Sequence, residues 1–169
     1  MGDDFQLPPP EPDMTDDSVS QFQPRDPDYR ARVEASFKRQ RVMETLGIRI
    51  GDIHPGRITL EMPYDATFTQ QHGFLHAGII STGLDSACGY AAFSLMDKEA
   101  AILTVEFKVN LLAPAEGENF LFLGEVLKPG RTLTVCEGKA FALLGGQRKL
   151  IASMTGTLMA ILNRTGITQ

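Results

Sequence analysis

The spacing of apolar residues changes along the chain and predicts an order of helices and strands. Apolar positions over residues 29–46 recur at helical spacing, with Asp26 or Asp28 as a candidate cap and Gly47 as the end. Two short runs of alternating apolar residues follow, one on each side of Pro55-Gly56. Alternation around a Pro-Gly pair predicts a β-hairpin.

The second half of the chain predicts one long helix and four more strands. A loop over residues 63–71 leads into an apolar, Gly- and Ala-rich helix that starts at His76 or Ala77 and ends near Met96. A helix with so little polar surface must be covered, and a curved antiparallel sheet is the simplest cover. We therefore predict an α+β hot-dog fold rather than a ferredoxin-like one, since only one helix interrupts the strands. The four later strands are predicted over 102–112, 120–128, 131–144 and 148–162.

Composition separates an N-terminal arm from a single domain. Residues 1–27 are rich in Asp, Pro, Gln and Ser and contain few apolar side chains. Such a segment buries too little apolar surface to offset the entropy lost on ordering. We predict a disordered, acidic, Pro-rich arm over 1–27 and one globular domain over 28–169, a size typical of a single domain.

Charge and composition exclude several classes of function. The net charge of −5 argues against a nucleic-acid binder. Cys88 and Cys136 lie in apolar surroundings without metal-ligand spacing, and the three histidines form no zinc pattern, so we expect buried thiols and no metal. No apolar run approaches the ~20 residues that cross a bilayer, and no signal peptide is evident. We expect no membrane span and a cytoplasmic location.

The clearest chemical signal lies between His72 and Ala92. The helix that begins in this segment has a first turn without bulky side chains, which leaves backbone N–H groups open to a ligand oxygen. The same helix carries Asp85 among Leu84, Ala87 and other small apolar residues, and an isolated carboxylate is costly to bury there. Together these features suggest an oxyanion-binding site and a carboxylate in one cavity.

Three segments, in chain order, resemble the PaaI-like acyl-CoA thioesterases of the hot-dog superfamily. The first is the loop and helix start from Gln70 to Gly78, with Asp85 downstream. The second is the run 103–114, similar to the long third strand of the family. The third is similar to a turn that meets the CoA nucleotide; it comprises Lys128, Pro129, Gly130, Arg131, Thr132 and Leu133. The resemblance implies hydrolysis of an aryl- or fatty-acyl-CoA to the free acid and CoA, without a further cofactor.

The resemblance also implies roles for individual residues. Asp85 matches the catalytic acid, which serves as general base or as nucleophile. The backbone N–H of Ala77 matches the donor that polarises the thioester carbonyl, although most members have Gly there; a backbone donor tolerates Ala if φ is negative. Gln70 matches an amide that places water or thioester, and Thr104 matches a residue that orients the water. His76 is assigned to the site, where a hydrogen bond that holds the helix start is favoured over proton transfer.

Positive charge near the third segment would suit the phosphates of CoA. Lys128 and Arg131 flank a Pro-Gly turn whose backbone N–H groups could also bind phosphate, and Gly78 is expected to contact substrate at the helix start. Arg148-Lys149 is a second candidate. Because the chain is acidic overall, these cations would act locally rather than through the net field.

Spacing along the helix predicts that the site is shared between subunits. His76 and Asp85 are nine positions apart, which is ~13 Å along a helix. One thioester carbon cannot touch both groups in one chain, whereas a two-fold dimer with antiparallel helices would bring Asp85 of one subunit near Ala77 of the other. We predict two composite sites per dimer. The sequence leaves a dimer and a tetramer both open, while the exposed sheet edges and the resemblance favour a dimer of dimers, hence a homotetramer.

Two other functions remain open from the sequence. The first is a non-catalytic acyl-CoA-binding module on the same fold. The second is a thioester dehydratase, which needs a histidine base beside an acid. His76 and Asp85 lie too far apart for that chemistry in one chain, although a dimer could bring them together.

Overall fold

A computed structural model describes residues 22–162 and shows six antiparallel strands in one sheet around a central helix. The strand order across the sheet is β1-β2-β4-β5-β6-β3. This is the predicted α+β hot-dog arrangement, which is confirmed. In chain order the elements are α1 (Tyr29–Phe37), α2 (Arg41–Leu46), β1 (Arg49–His54), β2 (Arg57–Pro63), a short 3-10 helix (Ala66–Phe68), α3 (Ala77–Phe93), β3 (Ala101–Leu111), β4 (Asn119–Lys128), β5 (Leu133–Leu144) and β6 (Gln147–Ile161).

The helix predicted over residues 29–46 is two helices, because the chain turns at residues 38–40. Asp28 is at the N-cap position of α1, but its side chain makes no capping hydrogen bond. The carboxylate of Asp26 instead accepts hydrogen bonds from the N–H of Asp28 and from the guanidinium of Arg32. No Gly or Pro marks the turn at 38–40, so the apolar spacing did not reveal it. Gly47 ends α2 in the left-handed conformation, as predicted.

Helix α3 ends at Phe93, three residues before the predicted end at Met96. The N–H groups of Leu95 and Met96 bond to carbonyls three residues back, which tightens the chain into a final turn. Arg32 donates to the carbonyls of Phe93 and Met96 and lies over the Phe93 ring. The arginine thus binds carbonyl groups that the end of the helix leaves without partners.

The N-terminal segment, defined here as residues 22–27, packs against the domain, although composition placed it in the arm. Asp26 is buried, and Phe22 packs against the hydrophobic core. A Cβ at Gly56, in the β1–β2 turn, would lie 2.8 Å from the Phe22 ring. Residues 1–21, the rest of the predicted arm, and residues 163–169 lie outside the described part of the chain.

Helix α3 is Gly- and Ala-rich because it lies very close to the sheet. A Cβ at Gly124 of β4 would lie 2.3 Å from the Ala87 carbonyl carbon, so backbone meets backbone at this point. A Cβ at Gly83 of α3 would lie 2.6 Å from the fully buried ring of Phe122. Larger side chains at these positions would move the helix away from the sheet and shift every residue it carries.

Two glycines on α3 give a matched test of this packing. We expect Gly83→Ala to lower the free energy of unfolding by about 1–3 kcal/mol, because the new methyl overlaps the Phe122 ring. Gly89→Ala should raise it by about 0.5–1 kcal/mol, since alanine favours a helix. A Cβ at Gly89 would meet no heavy atom within 4 Å. Urea unfolding of both variants measures the difference, and equal effects would contradict the packing argument.

The two edges of the sheet differ in length and polarity. Edge strand β1 has only six residues, and short edge strands discourage pairing. Edge strand β3 has eleven residues and exposes large apolar side chains, among them Val105 at 52%, Phe107 at 45% and Leu111 at 58%. The β3 edge is therefore the one suited to pairing with another chain.

Two further predictions concern cysteines and membranes. Cys88 and Cys136 are buried and free, as predicted, and burial raises the pKa of Cys136 to about 12. Burial also raises the pKa of the Cys88 thiol, so both cysteines are in the thiol form at neutral pH. Among residues 22–162, no helix has the length and apolar character needed to cross a membrane. The cytoplasmic location stays a prediction.

Candidate active site

The start of α3 presents one available backbone donor. His76 is the N-cap in extended conformation (φ −63°, ψ 139°), and its Nδ1 accepts a hydrogen bond of 2.9 Å from the N–H of Gly78. Gly78 is the residue predicted to contact substrate, and its N–H is occupied by the His76 ring. The N–H of Ala77, the first helical residue, makes no hydrogen bond with any described residue. Ala77 is thus the candidate oxyanion donor, as the sequence indicated.

The loop before α3 is held by its own hydrogen bonds. The side-chain oxygen of Gln70 accepts from the N–H of His72, and the backbone of Gln70 bonds with Phe74 and Gly73. Gly73 has a φ of 85°, which favours glycine. Because the Gln70 oxygen is bonded within the loop, its Nε2 amide group is the part able to donate to a ligand.

Asp85 and Thr104 form the second part of the site. The Thr104 hydroxyl, on β3, donates a hydrogen bond of 2.8 Å to Oδ1 of Asp85, on α3. Asp85 is partly buried, and its Oδ2 is left for a ligand or a water. The threonine therefore fixes the orientation of the carboxylate, and its oxygen lone pairs remain able to accept a hydrogen bond from water.

Burial sets the acidity of Asp85. Partial burial raises the pKa of its carboxyl group above the usual 3.8, and the Thr104 hydrogen bond offsets part of that rise. A raised carboxyl pKa brings a general base closer to neutral pH, where proton transfer is more effective. It also means that the fold disfavours the ionised form of Asp85.

The raised pKa of Asp85 predicts how stability depends on pH. As pH rises above 3.8, Asp85 ionises in the unfolded chain before it ionises in the folded one. Its contribution to stability is complete below that pH and is lost as pH rises through the folded-state pKa. We therefore expect Asp85→Asn to raise the melting temperature more at neutral than at acidic pH. The exposed Asp52→Asn serves as control. A variant less stable than wild type at neutral pH would contradict the assignment.

The two parts of the site lie apart within one chain. Ala77 and Asp85 are both on α3, and eight positions along a helix span ~12 Å. The structure groups Gln70, His76 and Ala77 at the helix start, and it separately groups Asp85 with Thr104. Within one chain, the donor and the carboxylate are therefore too far apart for one thioester carbon to contact both.

The turn between β4 and β5 carries the predicted CoA-binding residues. Lys128, Pro129, Arg131, Thr132 and Leu133 are exposed. Lys128 and Arg131 form no ion pair with any other residue in the range 22–162. Gly130 is required there, because a Cβ would lie 1.9 Å from the carbonyl oxygen of Leu133.

In the second candidate for phosphate binding, Arg148-Lys149, the arginine packs against another side chain. The guanidinium of Arg148 lies 4.5 Å from the centre of the Phe141 ring, where it covers a buried aromatic side chain. Lys149 is exposed. The turn with Lys128 and Arg131 is thus the better candidate for phosphate.

Sequence reasoning missed two features near the site. The Tyr64 hydroxyl donates to the carbonyl of Gly73 at 3.2 Å and supports the loop before α3. A cleft of about 290 Å³ lies beyond the end of α3, between the N-terminal segment and the β4–β5 turn. No local signal marked Tyr64, and the composition of residues 1–27 concealed the packing of the segment that forms the cleft.

The sheet wraps around one helix, which defines a hot-dog domain. That helix carries a carboxylate and a free backbone N–H, the groups that a candidate site for ester or thioester hydrolysis requires. The family model described as the thioesterase superfamily matches residues 72–147. A thioesterase family protein from Silicibacter pomeroyi is 64% identical, with a TM-score of 0.79, over 80% of this chain and 99% of that one. The chain belongs to the thioesterase superfamily, which confirms the predicted family and enzyme class.

Two other relatives are more distant. Acyl-coenzyme A thioesterase 13 of Homo sapiens is 28% identical over 106 residues, which cover 62% of this chain and 75% of that protein. The E. coli PaaI protein from the phenylacetic acid degradation operon shares the fold. Its TM-score is 0.72 at 20% identity, over 79% of this chain and 94% of that one.

Proposed function

We propose that this protein hydrolyses acyl-CoA at a site shared between two subunits. The observation that carries the proposal is the placement of the Asp85–Thr104 pair and the free Ala77 N–H on one helix, ~12 Å apart. Thioester hydrolysis needs a base or nucleophile and an oxyanion donor; Asp85 supplies the first and the Ala77 N–H supplies the second. A second copy is the simplest source of the missing half. The similarity to an acyl-coenzyme A thioesterase supports CoA as the leaving group.

The β3 edge supports the shared site. Two copies related by a two-fold axis would pair their β3 strands antiparallel and bury the apolar side chains of that edge. Thr104 lies on the same strand, so the interface would run beside the carboxylate. In the proposed dimer, Asp85 and Thr104 of one subunit face Gln70 and the Ala77 N–H of the other.

The outer face of the sheet supports a further association of dimers. Leu103, Met159 and Leu133 lie in one register row across β3, β6 and β5. Their neighbours Leu158 and Thr134 are buried on the helix side, so this row faces outward. Leu103 and Leu133 are 43% and 49% exposed. We propose that this apolar row joins two dimers into a tetramer, which light scattering would measure.

The proposed reaction uses groups of the chain alone. Asp85 accepts a proton from a water that attacks the thioester carbon, the oxyanion is stabilised by the Ala77 N–H, and the C–S bond breaks. The thiolate of CoA takes up the proton, and the free acid leaves. In the alternative, Asp85 attacks directly and forms an anhydride that water then hydrolyses. A single turnover in heavy-oxygen water tests for direct attack, because label enters Asp85 only when an anhydride forms and water attacks its Asp85 carbonyl carbon.

The β4–β5 turn is proposed to hold the CoA phosphates. Lys128 and Arg131 are exposed and form no ion pair with the described residues, so their charge is available to an anion. Removing both charges should raise KM for acyl-CoA more than it lowers kcat, since phosphate contacts act before and during the reaction alike.

A panel of acyl-CoA substrates tests the proposal. We expect the full-length protein to release free CoA thiol from one or more aryl-, short-, medium- or long-chain acyl-CoA esters. Calorimetric binding of these esters without thiol release would instead indicate a binding module. Hydration of an enoyl thioester would indicate a dehydratase. The structure disfavours the last outcome, because Nδ1 of His76 is bonded to Gly78.

A further inference from the structure

The loop that carries Gln70 is a small hairpin, called the Gln70 loop here and defined as residues 69–75. Thr69 and Leu75 pair as an isolated antiparallel bridge at its base. The N–H of Leu75 donates to the carbonyl of Ala115 at 3.1 Å, and Ala115 lies in the connection between β3 and β4. The base of the loop is therefore held by backbone bonds to the domain.

The tip of the loop, residues 71–73, is exposed and is held from outside by a side chain. The Tyr64 hydroxyl donates to the carbonyl of Gly73 at 3.2 Å. Within the described part of the chain, the other hydrogen bonds of the tip are to residues of the loop itself. A Cβ at Gly73 would meet no heavy atom within 4 Å, so packing does not hold this residue in place. The bond from Tyr64 is thus what ties the tip to the domain.

The backbone of Tyr64 is fixed by the sheet. Tyr64 directly follows β2, and its N–H donates to the carbonyl of Glu118 at 2.9 Å. The preceding residue, Pro63, pairs with Asn119 of β4. The Tyr64 side chain is 41% exposed and contributes little to the core. Its hydroxyl therefore connects a rigid part of the sheet to the tip of the Gln70 loop.

The position of the tip sets the direction of the Gln70 amide. The side-chain oxygen of Gln70 accepts a hydrogen bond from the N–H of His72, the residue before Gly73. An amide whose oxygen is bonded in this way presents its Nε2 group in a restricted direction. If the tip moved, the His72 N–H would move with it, and the amide would lose that orientation.

We propose that Tyr64 is a positioning residue for acyl-CoA hydrolysis. Its hydroxyl holds the tip of the Gln70 loop, and the tip orients the Gln70 amide toward the thioester or the attacking water. The inference rests on the proposed function, which places Gln70 in the shared site. In the proposed dimer, Tyr64 acts on the site to which its own chain contributes the Ala77 N–H. It does not act on the site to which its chain contributes Asp85.

Removing the hydroxyl tests the inference. We expect Tyr64→Phe to lower kcat about three- to tenfold, the effect of losing one hydrogen bond between uncharged groups. KM should change less, because the phosphates of CoA are proposed to bind at the β4–β5 turn. Tyr29→Phe is the matched control and should leave kcat unchanged. It removes a hydroxyl on α1 that makes no hydrogen bond with a described residue.

A double-mutant cycle asks whether Tyr64 acts through Gln70. In a Gln70→Ala background, Tyr64→Phe should cause no further loss of kcat, because the group that it positions is already absent. In a Thr104→Ala background, Tyr64→Phe should keep its full effect, since Thr104 orients the carboxylate instead. An equal loss of kcat in both backgrounds would show that Tyr64 does not act through Gln70.

Mixed dimers assign the effect to one subunit. In a dimer of one Asp85→Asn and one Ala77→Pro subunit, the complete site takes Gln70 and the Ala77 N–H from the Asp85→Asn subunit. Tyr64→Phe on that subunit should lower the activity of the mixture about three- to tenfold. The same substitution on the Ala77→Pro subunit should leave the activity unchanged. Both mixtures contain the same substitutions, so a general effect on folding or association would lower both alike.

The outcomes separate this inference from the proposed function. If wild type releases no CoA thiol from any acyl-CoA ester, the proposed function fails and the inference fails with it. If wild type is active and Tyr64→Phe keeps the wild-type kcat, or if both mixtures lose activity equally, the inference alone is overturned. Should the mixture of Asp85→Asn and Ala77→Pro stay inactive, the shared site fails, and the cycle with Gln70→Ala decides whether Tyr64 positions Gln70.

Discussion

Replacing Asp85 with asparagine is expected to lower kcat for acyl-CoA hydrolysis by about 10²- to 10⁴-fold, the range for loss of a catalytic base. The amide keeps an oxygen that accepts the Thr104 hydrogen bond, so the geometry of the pair should survive. What is lost is the ability to take a proton or to attack the thioester. Release of free CoA thiol measures the effect over the range of substrates that wild type hydrolyses.

The controls separate chemistry from structure. Asp52→Asn changes an exposed carboxylate on β1 and should leave kcat unchanged. Thr104→Ala should lower kcat less than Asp85→Asn, because the threonine orients the carboxylate and the carboxylate itself reacts. An Asp85→Asn protein that retains near-normal kcat would remove the central assignment.

Replacing Ala77 with proline is expected to lower kcat by about 10²- to 10³-fold, because the substitution removes the oxyanion donor. Proline is well tolerated at the first position of a helix, where its missing N–H has no intrahelical partner. The preceding residue, His76, already has the extended conformation that precedes proline (ψ 139°). The variant should therefore fold normally, and Ala77→Ser, which keeps the N–H, should retain activity.

Mixing the two inactive variants tests the shared site directly. In a dimer of one Asp85→Asn and one Ala77→Pro subunit, one of the two composite sites contains both native groups. After equal amounts are unfolded and refolded together, half of the dimers are mixed, so we expect about a quarter of wild-type activity. If each chain held a complete site, the mixture would stay inactive. That result would rule out the proposed arrangement.

Local sequence predicted the elements better than it predicted their interruptions. The long helix, the hairpin and the later strands followed from period and from Gly and Pro positions. The turn at residues 38–40 did not, because it contains no residue type that breaks a helix. The packing of Phe22 against Gly56 could not be predicted either. The two residues are far apart in the chain, and Phe22 lies in a segment whose composition indicated disorder.

The candidate site, too, could be predicted from the sequence only in part. Asp85 and the bare helix start were identifiable because a carboxylate in an apolar helix and a first turn without bulk are unusual locally. The role of His76 required the structure, which shows its ring on the Gly78 N–H and so selects Ala77 as the available donor. The hydrogen bond from Thr104 to Asp85 joins residues nineteen positions apart and depends on how β3 lies against α3.

The sequence by itself determined the kinds of groups present: a helix start without bulky side chains, one acid nine positions after His76, and a cationic turn. Period, spacing and residue type carry that information because they act within a few turns of helix or a few residues of strand. Only the tertiary structure decided which groups meet. The register of β5, β6 and β3 sets where Thr104 and Thr134 lie, and the close contact of α3 with β4 fixes where the helix places Asp85.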